Sequence, residues 1–214
     1  IAMILALARH IHTGRDHQRA HHWRGMISDL SRREDELGGK TLLIAGLGGI
    51  GSRLAKLAKA FDMRVIATKR HPESGVGVAD EIFTPDKLKE LLPRADFVAL
   101  TCPLTPETRN MMDAEAFAAM KPSAYLINVA RGGCVDEPAL LAAVQEGQIA
   151  GAAIDHFWDE PLPADSPFWD LENVLITPHT AGETRLYEEN LFDILLENLE
   201  RLWRGETELR NQVV

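Results

Sequence analysis

The sequence predicts an α/β fold, a doubly wound parallel sheet with helices on both faces, and three observations carry that reading. Short apolar strands recur along the chain, they do not alternate with polar residues, and helical segments separate them. A strand that is apolar at every position is buried on both faces, and parallel neighbours need a crossover, which a helix supplies. Right-handed crossovers then wind the sheet in both directions from its centre.

In chain order, residues 1–23 read as one helix, with Ile1, Ile4, Leu5, Ala8 and Ile11 at helical spacing ahead of a polar, His-rich half. Thr41–Ala45 is the first strand, followed by a glycine-rich turn and a helix from Ile50 to about Phe61. Arg64–Thr68 is the second strand. Thr84-Pro85-Asp86 then opens a helix through Leu92, with proline in the first turn, where its missing N–H is harmless. Phe97–Thr101 is a third strand, Asp113–Met120 a helix and Tyr125–Asn128 a fourth strand. Asp136 caps a helix running to about Glu146, because its carboxylate suits the unpaired amides of a first turn. Ala150–Ile154 and Val174–Thr177 are two further buried strands, and Pro161–Pro167 is an ordered loop. Tyr187, Leu191, Ile194, Leu195, Leu199 and Leu202 form the stripe of a long amphipathic helix.

Composition narrows the function classes. Lys and Arg total 23 against 32 Asp and Glu, a formal net charge of −9. That balance argues against a nucleic acid or an anionic membrane surface as partner. A small anionic substrate stays compatible, since a few local cations suffice. The two cysteines, Cys102 and Cys134, fall on separate elements without metal-binding spacing, so a reduced, cytoplasmic protein is expected. Ile1–Ala8 is apolar but lacks the basic flank and cleavage site of a signal peptide, and no apolar run approaches the roughly 20 residues of a membrane span. The chain opens without Met and inside a helical pattern, as a piece cut from a longer protein would.

Gly46-Leu47-Gly48-Gly49-Ile50-Gly51 fits G-x-G-x-x-G between a strand and a helix. In that context Gly46 permits a tight turn, Gly48 lets the backbone approach a pyrophosphate, and Gly51 lets helix and strand pack closely. The helix N-terminus favours the negative charge. The sheet is therefore read as a Rossmann-type, dinucleotide-binding one. Where an acidic residue would hold the adenosine ribose, Thr68-Lys69-Arg70 follows Arg64–Ala67 at the end of the second strand. A hydroxyl and two cations welcome a 2′-phosphate that an acid would repel, so the expectation favours NADP over NAD.

From the glycine-rich turn onward the sequence resembles the D-isomer-specific 2-hydroxyacid dehydrogenases. Leu43–Gly51, residues 101–108, Ile127–Gly133, Gly151–Asp155, residues 159–163 and residues 177–182 carry the resemblance, in order and over nearly the whole chain. What it implies is hydride transfer between NAD(P)H and a small 2-oxo or D-2-hydroxy acid. By that resemblance Arg131 is the cation for the substrate carboxylate and carbonyl, His179 the general acid and base, and Glu160 the carboxylate that supports His179. Asp155 resembles the residue at the nicotinamide end of the cofactor. With Gly46, Gly48, Gly49, Ile50, Gly51, Thr68, Lys69 and Arg70, the residues Cys102, Pro103, Thr108, Val129, Ala130, Arg131, Asp155, His179, Ala181 and Gly182 make up the expected cofactor contacts. Glu160 departs from the formate dehydrogenases, which carry an amide in that role. Gly49 stands where many members have a larger residue, which puts a side-chain contact to the pyrophosphate in doubt.

By the same resemblance, residues 1–27 are a connecting and dimerisation helix, 28–182 the dinucleotide-binding domain, and 183–214 a returning helix and tail of a substrate lobe otherwise absent. A homodimer is expected, with the apolar faces Ile1–Ile11 and Leu191–Leu202 seeking cover. Other readings are blander. His10, His12, His17, His21 and His22 crowd one segment, and His17 and His21 would share a helical face. No second ligand cluster accompanies them, so no metal is expected. His156 belongs to a packed loop rather than to the acid–base pair. Two other functions remain open at this point: a dinucleotide-sensing interaction protein of corepressor type, and a bare nucleotide-binding module.

Overall fold

The computed structural model describes residues 1–30, 33–75 and 77–212. The last two residues of the expected 183–214 segment, and residues 31, 32 and 76 of the expected 28–182 domain, lie outside the described residues. The chain forms two compact units, Ile1–Pro178 and His179–Val214.

In the first unit, β1 (Thr41–Ala45), β2 (Arg64–Thr68), β3 (Glu81–Phe83), β4 (Phe97–Leu100), β5 (Tyr125–Asn128), β6 (Gly151–Ile154) and β7 (Val174–Ile176) pair in parallel throughout. Their order is β3-β2-β1-β4-β5-β6-β7, so the winding reverses between β1 and β4. The reversal opens a crevice at the carboxyl ends of the central strands, where such sheets take ligands. Both faces are core, and β1 makes the reason visible. Successive side chains of a strand point to opposite faces. Leu43 and Ala45 accordingly join one apolar cluster with Val98, Leu126 and Phe117, while Leu42 and Ile44 join another with Val65 and Ile127.

The helices follow from local chemistry. α3 (Gly49–Lys59) starts at the glycine turn and buries Leu54, Ala55 and Ala58. α5 (Ala114–Ala119) and α6 (Glu137–Gln145) begin where Asp113 and Asp136 accept the amides of Ala116 at 2.8 Å and Ala139 at 3.1 Å. Each cap satisfies one otherwise orphaned N–H.

Four expectations need correction. Residues 1–23 are not one helix but two, α1 (Ala2–Ala8) and α2 (Ile11–Arg19), broken at His10, whose φ is 48°. α1 buries Ile4, Leu7 and Ala8 in the core and packs against β5 and β6, whereas α2 buries nothing. The Ile1–Ile11 face is therefore largely core rather than a bare patch, with Ile11 alone fully outside it. His17 and His21 share no helical face, because α2 ends at Arg19 and His21 turns away at φ 52°. Residues 84–92 split into a 3₁₀ turn, the single α-turn α4 (Leu88–Leu91) and a second 3₁₀ turn around Pro93, which stops the helix. β3 had no sequence signal: it is three half-buried residues at the sheet edge.

The second unit centres on α7 (Tyr187–Trp203), in which no residue is buried. Glu197 pairs with Arg201 one turn on at 2.7 Å and with Arg210 at 2.9 Å, fastening the tail to the helix. Among the described residues no helix is long and apolar enough to cross a membrane.

Candidate active site

The glycine turn is built around close approaches. Gly46 has φ 104°, and a Cβ there would lie 2.8 Å from the Cys102 backbone. A side chain on Gly51 would strike the Gly46 carbonyl and the Thr101 hydroxyl. That hydroxyl donates to the Gly46 carbonyl at 2.7 Å, and the Gly46 and Leu47 amides donate to the Thr68 carbonyl at 3.2 and 2.8 Å. The turn is thus tied to β2 on one side and to the segment after β4 on the other. Gly48, Gly49 and Ile50 are exposed, and no atom lies within 4 Å of a Cβ placed on Gly48 or Gly49. An open cradle therefore faces the amide end of α3, which fits a pyrophosphate.

At the end of β2, Thr68 is buried, Lys69 half-buried and Arg70 exposed. Arg70 also lies near Glu107. That carboxyl is held below its ordinary value first by the Thr105 hydroxyl, then by its own backbone amide, with Arg70 a smaller contributor. Across the crevice, the Thr108 hydroxyl donates to the Pro103 carbonyl and accepts the Thr105 amide, both at 2.7 Å. Its oxygen is committed to closing that loop. Cys102 and Cys134, distant in sequence, meet here as free thiols, with Cys102 Sγ 3.6 Å from Met111 Sδ. Neighbouring Cys102 lowers the Cys134 thiol to about 7, and Cys134 together with burial raises that of Cys102.

The remaining groups gather at the ends of β5 and β6. Asn128, buried at the last position of β5, accepts the Ala130 amide at 3.0 Å and donates to the carbonyls of Arg131 at 3.0 Å and His156 at 3.4 Å. This turn holds Val129 half-buried and Ala130 buried, and leaves Arg131 exposed, its Nη1 donating to the Ala130 carbonyl at 2.6 Å. A Cβ on Gly132 would collide with the backbone of Phe157 and Trp158, so the Arg131 loop lies backbone to backbone on the loop after β6.

That second loop carries the carboxylates. Asp155 is buried, and its Oδ1 accepts the Thr177 hydroxyl at 2.5 Å. Glu160, about one-third exposed, accepts the Phe157 amide on Oε1 at 3.1 Å. Between them sits His156, 5% exposed, with Nε2 3.6 Å from Asp155 Oδ2 and Nδ1 3.5 Å from Glu160 Oε1. Trp158 covers the loop, donating from Nε1 to the Val135 carbonyl at 2.9 Å beneath the Arg109 guanidinium, which lies 5.2 Å from its ring.

Arg131, Asp155 and Glu160 therefore share one end of the first unit with the glycine turn. His179, Ala181 and Gly182 open the second unit. His179 follows β7 by three residues and holds φ 56°, a backbone region that non-glycine residues seldom occupy. The sequence reading passed over Thr101, Asn128 and Thr177 as site residues. Their signal was a polar side chain directly at the end of an apolar strand, where a buried hydroxyl or amide must find partners.

Comparison with known proteins decides the family. The model of the D-isomer specific 2-hydroxyacid dehydrogenase, NAD binding domain, matches residues 1–181. The chain belongs to that family. It is 42% identical over 171 residues to the D-3-phosphoglycerate dehydrogenase of Methanocaldococcus jannaschii, covering 80% of this chain and 32% of that protein. Against the glyoxylate reductase of Pyrococcus furiosus it is 38% identical over 212 residues, covering 96% and 61%. A probable 2-hydroxyacid dehydrogenase from Rhizobium etli, solved with NADP, HEPES and L(+)-tartaric acid, superposes with a TM-score of 0.85 at 32% identity, covering 99% and 65%. This dehydrogenase-family chain thus spans between one-third and two-thirds of the length of these relatives.

Proposed function

We propose that the protein transfers a hydride between NAD(P)H and a small 2-oxo acid, forming or consuming a D-2-hydroxy acid. The observation that carries this reading is the packing of the Arg131 loop on the Asp155–Glu160 loop through Gly132, beside an open glycine cradle. When bound, the dinucleotide supplies the hydride. The protein does the rest. The Arg131 fork binds the substrate carboxylate and polarises the carbonyl, where negative charge develops during reduction. His179 delivers a proton to that oxygen, and takes it back in the oxidative direction, with Glu160 as its supporting carboxylate. Asp155 stands at the nicotinamide end. The remaining cofactor contacts are those read from the sequence, with the amides at Gly48–Gly51 holding the pyrophosphate and Lys69 and Arg70 holding a 2′-phosphate, so that NADP is preferred. The Rhizobium etli protein carries NADP, which supports this choice.

The same reading takes residues 28–182 as the dinucleotide-binding domain, 1–27 as a connecting segment and 183–214 as part of a substrate lobe, in a cytoplasmic homodimer. A panel of 2-oxo acids with NADPH and NADH tests it. His179→Ala is expected to lower turnover by roughly 10²–10⁴-fold while dinucleotide affinity, read by fluorescence, stays within a few-fold. Undiminished turnover in that variant would overturn the assignment.

A further inference from the structure

We propose that His156 is a positioning residue for this reaction, clamping Glu160 with one ring nitrogen and Asp155 with the other. The inference rests on the roles given above to those two carboxylates. A buried imidazole must find polar partners for both nitrogens, because each left unpaired costs free energy that an apolar side chain of like size would not. Here both partners are carboxylates, at 3.5 and 3.6 Å. These are ion-pair distances rather than tight hydrogen bonds, and because a carboxylate only accepts, the ring clamps both carboxylates as the imidazolium, with an N–H on each nitrogen.

The clamp belongs to a longer chain of contacts. Thr177 Oγ1 donates to Asp155 Oδ1, Asp155 Oδ2 faces His156 Nε2, and His156 Nδ1 faces Glu160 Oε1, which also accepts the Phe157 amide. These two contacts fall on the same oxygen of Glu160, which orients the carboxylate as a whole. The backbone of His156 is fixed as well, since its carbonyl accepts the Asn128 amide that also holds the Arg131 carbonyl. One residue therefore couples the two carboxylates and the turn that presents the arginine. Glu160 sits on an irregular loop and is one-third exposed. The ring and the Phe157 amide both bear on its Oε1, and small misplacements of a supporting group are expensive in catalysis.

The test compares His156→Asn, His156→Gln and His156→Phe in the whole protein. The Asn amide reaches the place of Nδ1, the Gln amide that of Nε2, and Phe fills the space with neither. Hydrogen exchange of the Phe157 amide reads the placement of Glu160 without reference to turnover, with Glu160→Ala marking full release. His156→Phe should speed that exchange roughly tenfold, the equivalent of one lost charged contact, and lower kcat. His156→Asn should keep Phe157 protection and kcat near the wild-type values. His156→Gln should lose both while keeping the dinucleotide Kd better than His156→Asn does. Unchanged Phe157 exchange in His156→Phe would overturn the proposal. So would equal behaviour of the Asn and Gln variants, which would mark the ring as packing alone. If Glu160→Gln left kcat intact, the role of Glu160 in the reaction would fall, while the exchange data would still decide whether His156 holds it.

Discussion

At the scale of single residues, the site depends on places where a side chain is forbidden as much as on the side chains present. Gly132 has no unusual backbone angle, yet a methyl group there would drive the Arg131 loop off the backbone of Phe157 and Trp158. Gly132→Ala is expected to cost about 1–3 kcal/mol of stability through overpacking. It should also lower turnover more than dinucleotide affinity, because the adjoining Arg131 moves with it while the glycine cradle, which holds the pyrophosphate, is built elsewhere. Parallel titrations and steady-state assays check this; equal losses in both would sink it. Arg70 gives the complementary case. It is exposed and shares its surroundings with Glu107, so its contribution to a 2′-phosphate is screened. Arg70→Ala should weaken NADPH binding by roughly tenfold, within the span of one charge-assisted contact, and leave NADH unaffected. A loss shared equally by both cofactors would count against the 2′-phosphate role.

At the scale of elements, β3 shows how a weak strand is held at a sheet edge. Just before it, Asp80 accepts the Val65 amide of β2 at 2.7 Å and pairs with Lys59 of α3 at 2.6 Å. Lys59 first, and then the Val65 amide, hold the Asp80 carboxyl below its ordinary value of 3.8. A carboxyl depressed in the folded state stabilises it fully above the unfolded value, and that stabilisation is lost as pH falls through the lower folded value. The pair is more than one-third exposed, so the effect is small. Thermal melts from pH 6 down to pH 3 should fall more steeply for the wild type than for Asp80→Asn. Parallel curves would remove Asp80 from the acid response. The first helix teaches a different lesson. α1 was legible as helix from its spacing, but not as core, because only the sheet supplies the surface that covers Ile4 and Leu7.

At the scale of the whole molecule, exposed apolar surface bears on assembly. Leu191, Phe192, Leu195, Leu196 and Leu202 on α7 are each about half exposed or more, as are Trp23 and Met26 in the segment before β1. Large exposed apolar patches mark surfaces that other protein covers. The homodimer proposed above should appear in sedimentation at assay concentrations, and a monomer there would count against it. α1 contributes little to that argument, since its apolar face is already occupied.

The sequence by itself determined the parallel strands, the glycine turn, the helix caps at Asp113 and Asp136, and the candidates Arg131, Asp155, Glu160 and His179. Each is written in a local pattern: runs of apolar residues, turn chemistry, or a short motif beside a strand end. The break at His10, the edge strand β3 and the closeness of Cys102 to Cys134 were decided by tertiary structure. So were the demand for glycine at 132 and the bridging place of His156. The pairing of β3, the thiol pair and the demand at Gly132 arise where segments far apart in the chain come within a few ångströms, while the break at His10 and the His156 bridge are local conformations that no local pattern announces. A side chain's neighbours across the sheet, unlike its neighbours in sequence, exist only once the strands have taken their order.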